Sequence, residues 1–469
     1  SQARDPAQAG LSPVSESPPR VTSAAPDATA TAQPATLAKP HPQAPGAPAE
    51  PAQIVWEESA DAEGVARTCQ ARWRSESGQA PPRRVLVADD TMKADTAWRL
   101  ACEGAALLWR GDYHNARQLL QAMARRADAR TRKPAKAGKV ARAGKSPATP
   151  AEAFHLHRMV QAQRARTLGM LLIPFEAGAR IPLRRAPEVA AILAEAVAGT
   201  PDADLASAPF VMSLRELLGL VGAHEWRRKG VDIPALGARI HPWYGVYSPI
   251  RGEYLDLVMR APLPATTRAF DIGTGTGVIA ALLARRGVTR VVATDVSPRA
   301  LACAQENLAR LGLLAEVPEQ GSGLEASAGA GSSGHHASAG RVDLLQADLF
   351  PPGRAPLVVC NPPWVPAKPS SAIEHAVYDP ESRMLRGFLA GLAEHLEEGG
   401  EGWLILSDLA EHLGLRTRAE LLGWIEGAGL KVLGREDIRP RHGKASDTDD
   451  PLHAARAAET TSLWRLARR

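Results

Sequence analysis

The segment Asp271-Ile272-Gly273-Thr274-Gly275-Thr276-Gly277 places an acid ahead of three glycines, between an apolar run and a helical pattern over Val278–Arg286. Glycines lack a Cβ, so the backbone can turn sharply and approach a ligand closely. At the C-terminal end of a strand, such a turn lies where open α/β sheets bind ligands. A dinucleotide fingerprint would need Gly or Ala at position 278, where Val278 stands. An acid before the glycines also suits an amine-bearing ligand better than a pyrophosphate. Asp295, about 20 residues on, ends the next strand, where a carboxylate can grip two ribose hydroxyls. Asp348, in Gln346-Ala347-Asp348-Leu349-Phe350, ends a third strand, within reach of an adenine ring.

A fourth strand end carries Val358-Val359-Cys360-Asn361-Pro362-Pro363-Trp364. The prolines fix φ and lack N–H groups, which makes the turn rigid and leaves its carbonyls available. The Asn361 side-chain oxygen and the Pro362 carbonyl can both accept from a target NH2 group. This holds the nitrogen lone pair out of conjugation, so the chemistry is positioning and electrostatics. Trp364 offers a flat face for stacking a base or packing an amide.

These residues need strands to present them. Ala269–Ile272, Arg290–Asp295, Asp343–Ala347, Leu357–Cys360, Gly402–Ser407 and Thr461–Leu466 read as strands. Helical patterns over Val278–Arg286, Ser297–Leu311 and Met384–Leu396 alternate with them, Ser297 serving as N-cap and Pro298 opening the first turn. That alternation predicts a parallel sheet covered on both faces.

Together the motifs resemble the class I S-adenosylmethionine-dependent methyltransferase family. The resemblance implies a Rossmann-like, seven-stranded, mostly parallel sheet and S-adenosylmethionine as cofactor. It implies that Asp271, Gly273, Thr274, Gly275 and Gly277 hold the methionine part, Asp295 the ribose, and Asp348 with Leu349 the adenine. Asn361, Pro362 and Trp364 are then the catalytic turn, with Asn361 also beside the cofactor. Asn-Pro-Pro-aromatic is similar to the branch that methylates exocyclic amino groups of nucleobases or glutamine amides, with Trp in place of the usual Tyr or Phe. Tyr244–Tyr254 and Tyr378-Asp379-Pro380-Glu381 resemble segments of the HemK-type glutamine methyltransferases. The glycine-rich stretch that follows in that family is replaced by Ser382-Arg383-Met384-Leu385-Arg386.

The 469 residues leave room for more than this domain. Residues 1–52, rich in Ala, Pro, Ser and Gln, read as a disordered tail. Residues 53–240 read as a mainly helical α+β domain for substrate recognition, with one strand, Arg84–Ala88, ending in Asp89-Asp90. Helical periodicity runs through Ala97, Leu100, Ala101, Leu107 and Leu108, then Ala116, Leu119, Leu120 and Met123. Further helices are expected at Pro187–Ala198 and Ser213–Arg228, and a strand pair within Leu168–Leu183. Residues 125–150, with nine Lys/Arg and one acid between Arg125 and Lys145, read as a solvated linker or insertion. Residues 241–469 form the methyltransferase domain, with a flexible Gly/Ser/Ala insertion at 318–340.

Net charge of +5 favours a polyanionic partner. With the Arg125–Lys145 run and the Arg439, Arg441 and Lys444 lip, it makes an exocyclic base amino group in RNA the leading target. Its rival is a glutamine in a translation factor or ribosomal protein. Cys69, Cys102, Cys303 and Cys360 are far apart, and His335-His336 sit in a glycine-rich loop, so neither a disulfide framework nor a metal site is expected. No run of about 18 apolar residues and no signal-peptide pattern occurs, which points to a cytoplasmic protein without a membrane span.

Overall fold

A computed structural model describes residues 52–59, 66–132, 149–197, 207–247, 249, 252–315, 340–369, 374, 377–440 and 450–469. The expected N-terminal tail, most of the 318–340 insertion with His335-His336, and Arg441–Lys444 fall outside the described residues.

The C-terminal part is a seven-stranded sheet. Its strands are β9 (Arg268–Ile272), β10 (Arg290–Asp295), β11 (Arg341–Gln346), β12 (Ala355–Cys360), β13 (Leu396–Ser407), β14 (Leu430–Ile438) and β15 (Thr461–Arg468), in the spatial order β11-β10-β9-β12-β13-β15-β14. All neighbours pair in parallel except β15, which runs antiparallel to β13 and β14. The sheet is thus the mostly parallel one expected. Strand order reverses beside β9, so the C-terminal ends of β9, β10 and β12 flank a natural crevice.

Successive side chains on a strand face opposite ways, and the sequence fills both faces. Val291, Ala293, Leu357, Val359, Trp403 and Ile405 pack with α6 (Glu253–Arg260), α7 (Val278–Arg285) and α8 (Pro298–Arg310). Phe270, Ile272, Val358, Cys360, Leu404 and Leu406 pack with α9 (Arg383–His395) and α11 (Arg418–Gly427). Each buried Leu, Val or Phe stabilises by about 1.5–3 kcal/mol. Helix α8 opens as expected, with the Ser297 side chain accepting from the Ala300 N–H and Pro298 in the first turn.

The N-terminal part holds more sheet than its sequence suggested. Strands β1 (Gln53–Ser59), β2 (Ala66–Arg74), β3 (Arg84–Ala88), β4 (Ala105–Trp109), β5 (Leu171–Phe175) and β6 (Phe210–Ser213) form a sheet in the order β1-β2-β6-β5-β4-β3. Leu107 and Leu108, read as helical, lie on β4, because α1 (Ala94–Cys102) stops before Gly104, which takes φ of 86°. Every residue of β4 is buried, and a short, wholly apolar run carries no period to separate strand from helix. The strand pair expected within Leu168–Leu183 is one strand, β5, whose partners β4 and β6 come from elsewhere in the chain.

Helices α2 (Tyr113–Arg132), α3 (Pro150–Leu168), α4 (Ala190–Val197) and α5 (Leu214–Lys229) complete this part. The basic run expected as a linker from Arg125 is helical as far as Arg132, where Arg126 pairs with Asp95 at 2.7 Å and Asp128 with Arg164 at 2.9 Å. Residues 133–148 lie outside the described residues. A hairpin of β7 (Val231–Ile233) and β8 (Ala238–Ile240) follows, and its Ile233, Leu236 and Ile240 join the core beneath α7.

Candidate active site

A cleft of about 1670 Å³ opens at the crevice beside β9. Of the residues singled out in the sequence, Gly273, Thr274, Asp295, Asp348, Leu349, Asn361, Pro362 and Trp364 line it. Asp271, Gly275 and Gly277 stand behind that lining and shape it.

Asp271 is 1% exposed, and one carboxylate oxygen accepts from the Thr274 hydroxyl at 2.7 Å and from the Ala280 N–H at 3.1 Å. It therefore ties the glycine turn to the first turn of α7. Burial pushes its carboxyl up to about 7, and the nearby Asp295 charge adds to the rise. Gly273 has φ of 72°, and a Cβ there would fall 2.6 Å from the Met384 Cε at the start of α9. Gly277, with φ of 82°, is the N-cap of α7, and a Cβ would come within 3.2 Å of Ala304 on α8. Both glycines take a left-handed φ, and at Gly277 the close approach of α8 adds a second reason for the missing Cβ.

Asp295 accepts from the Gly275 N–H at 3.0 Å and the Ser297 N–H at 2.9 Å, which fixes its carboxylate at the cleft wall. Burial raises its pKa, and those backbone donors oppose the rise. Thr294, fully buried, accepts the Thr274 N–H on its carbonyl at 2.8 Å and donates its hydroxyl to the Leu349 carbonyl at 2.5 Å. It thereby links the glycine turn to the Asp348-Leu349 corner, where Leu349 takes a left-handed φ of 76°. Nothing local marks this role, since a threonine before a strand-end acid is an ordinary strand residue. Asn307 on α8 closes the frame, donating to the Thr276 carbonyl at 3.1 Å and accepting from the His241 N–H at 2.8 Å.

At the other end of the cleft, the Trp364 indole N–H donates to Asn361 Oδ1 at 2.8 Å. Tyr254, 1% exposed on α6, is hydrogen-bonded to the Asn361 side chain and meets the Trp364 ring edge-on at 6.5 Å. Beyond Trp364 the wall is apolar, built from Val365, Leu409, Leu413 and Leu452 together with Phe154 of α3. Helix α3 also holds the strand-like loop after the turn. The Arg158 guanidinium stacks 3.9 Å from the Tyr378 ring centroid and donates to the Lys368 carbonyl at 2.6 Å. Asp379 caps α9, accepting from the N–H groups of Met384 and Leu385 at 3.0 and 3.1 Å. Phe154, Arg158 and Asp379 had no place among the expected site residues. The first two arrive by tertiary packing, and Asp379 acts through the α9 start that faces Gly273. Among the described residues no His, Cys, Asp or Glu group could hold a metal ion.

The frame suits S-adenosylmethionine: a left-handed glycine turn gives backbone access, and the strand-end acids Asp295 and Asp348 line the same cleft. Strand order, turn and carboxylates together define a class I S-adenosylmethionine-dependent methyltransferase domain. Residues 269–348 match the family model described as a methyltransferase domain. Within that class the similarity is to the HemK-type branch. A release factor glutamine methyltransferase of Cereibacter sphaeroides is 30% identical over 194 residues, covering 38% of this chain and 58% of that protein. A putative protein N5-glutamine methyltransferase of Methanocaldococcus jannaschii is 23% identical over 210 residues, 43% of this chain and 88% of that protein. A ribosomal protein L11 methyltransferase of Pelobacter propionicus is 40% identical over 78 residues, 16% of this chain and 25% of that protein. The chain thus spans little more than half the length of the first of these relatives. No helix among the described residues is long and apolar enough to cross a membrane.

Proposed function

We propose that this chain transfers a methyl group from S-adenosylmethionine to the side-chain amide nitrogen of a protein glutamine. The observation that carries the reading is the Asn361-Pro362-Pro363-Trp364 turn lining the same cleft as Gly273, Asp295 and Asp348. S-adenosylmethionine, when bound, supplies an electrophilic methyl group and leaves as a neutral thioether. The chain's own part is positioning. Gly273–Thr276 and Asp295 orient the cofactor, while Asn361 Oδ1 and the Pro362 carbonyl accept the target's two N–H bonds. The target nitrogen then forms its bond to carbon along a fixed line and releases one proton to water.

The apolar lobe of Phe154, Val365, Leu409, Leu413 and Leu452 supports an uncharged amide on an aliphatic stem. The protein-glutamine names of the relatives favour the same choice, and so reverse the order in which charge alone ranked the two targets. Labelled S-adenosylmethionine added to a lysate lacking the endogenous protein tests it. Tritium is expected in a protease-sensitive, RNase-resistant fraction, and an RNase-sensitive product would make RNA the target. Asn361→Ala is expected to cut transfer by about 100-fold while calorimetric affinity for S-adenosylhomocysteine stays within about twofold.

A further inference from the structure

We propose that Trp364 is a positioning residue whose indole N–H sets which end of the Asn361 amide faces the target nitrogen. The inference rests on the functional reading above and deepens it at the same turn. A side-chain amide is nearly symmetric in shape, and only its oxygen can accept from a target NH2 group. Rotated by half a turn, Asn361 would present donors to a donor and repel it.

The indole nitrogen can only donate, so its 2.8 Å contact requires the oxygen of Asn361 at that end. Tyr254, buried on α6, stands edge-on beside the Trp364 ring. Burial drives the Tyr254 phenol well above its ordinary range, and its interaction with the Asn361 side chain opposes the rise. An amide oxygen has two lone pairs, and Trp364 takes one. The second is left for the target.

The ring itself is anchored as well, since Trp364 packs against three separate apolar clusters and stands perpendicular to Tyr254 at 90°. Phenylalanine at this position would keep a ring and lose the donor. A tyrosine hydroxyl projects from the ring's far end, where it cannot copy the in-plane N–H. The departure from Tyr or Phe therefore supplies a hydrogen bond, and its flat face is the lesser contribution.

The test uses the full chain with 15N-labelled tryptophan, the indole signal of residue 364 being assigned by its loss in Trp364→Phe. In the unmodified protein this proton is expected to exchange slowly, and Asn361→Ala is expected to shift it and speed its exchange. In the lysate assay Trp364→Phe is expected to lower turnover about tenfold, the size of one lost hydrogen bond, with S-adenosylhomocysteine affinity unchanged. Tyr254→Phe is expected to lower turnover less, because the indole still holds the oxygen. An indole signal blind to Asn361→Ala overturns the proposal. So does full turnover in Trp364→Phe when Asn361→Ala is inactive. If the unmodified protein transfers no label while the indole responds to Asn361→Ala, the functional reading fails and the pinning of the amide stands.

Discussion

Both sheets end parallel strands in aspartates, yet the two edges differ in what surrounds those acids. In the N-terminal sheet Asp90 follows β3 and Asp112 follows β4. Asp112 is almost fully buried, and its carboxylate accepts from Arg184 at 2.9 Å, Arg185 at 2.6 Å and the His114 N–H at 2.9 Å. Asp90 accepts the Asp112 N–H at 2.9 Å and Asn115 at 3.0 Å, and a Cβ on Gly111 would lie 2.4 Å from its oxygen. That edge is filled by its own side chains. In the C-terminal sheet no arginine among the described residues meets Asp271, and three left-handed glycines hold the chain back from the space in front. The acids shift in opposite directions accordingly. The Arg185 bond holds Asp112 well below the carboxylate range, while burial lifts Asp271 to about 7. A strand-end acid becomes part of a ligand site where glycines leave room and no arginine claims it.

The contrast can be broken most decisively by the same substitution on each edge. Asp295→Ala is expected to weaken S-adenosylmethionine binding by about 10–100-fold in calorimetry, as loss of hydrogen bonds to a charged group would. Asp112→Ala should leave that affinity alone and lower Tm by several degrees, because two arginines lose their acceptor. Equal losses of affinity in both variants would erase the distinction.

The buried charge gives a second, smaller measure. A raised folded-state pKa means that the folded protein holds a proton which the unfolded chain releases above about 4. Asp271 therefore makes stability fall as pH rises from about 4 to about 7, with a slope of up to about 1.4 kcal/mol per pH unit. Asp271→Asn keeps an acceptor for Thr274 and Ala280 and should remove this component from urea unfolding measured across that range. Retention of the full slope in the variant would mean that another group carries it. The smallest effect is expected from Gly277→Ala, about 1–2 kcal/mol of stability by chemical unfolding, from a left-handed φ and the 3.2 Å approach to Ala304.

The parts of the site that a reader of sequence can see are those written contiguously. The glycine turn, Asp295, Asp348 and the Asn-Pro-Pro-Trp turn each combine a strand end with a short motif, and all four meet at one edge. Thr294, Asn307 and Tyr254 carry no such pattern, because their roles depend on partners 20 to 107 positions away, as at Thr274–Thr294 and Tyr254–Asn361. The N-terminal sheet was largely hidden for a related reason. Strands β4 and β5 are buried along their whole length, so the alternation that marks a half-exposed strand is missing. Phe154 reaches the cleft only because α3 packs against the far side of the turn, where Arg158 meets Lys368, Glu374 and Tyr378, and no local period foretells this.

Thr294 has a consequence for how such a protein can diversify. Its carbonyl serves the glycine turn and its hydroxyl serves the Leu349 corner, so one residue spans both ends of the cofactor frame. A change there disturbs both ends together, which makes the cofactor half poor ground for stepwise adaptation. The opposite half is assembled from side chains on several elements, Phe154 of α3 packing with Val365, Leu409, Leu413 and Leu452. On the proposed reading, a change of acceptor is to be sought first at Phe154 and Leu452, which line the cleft away from Thr294.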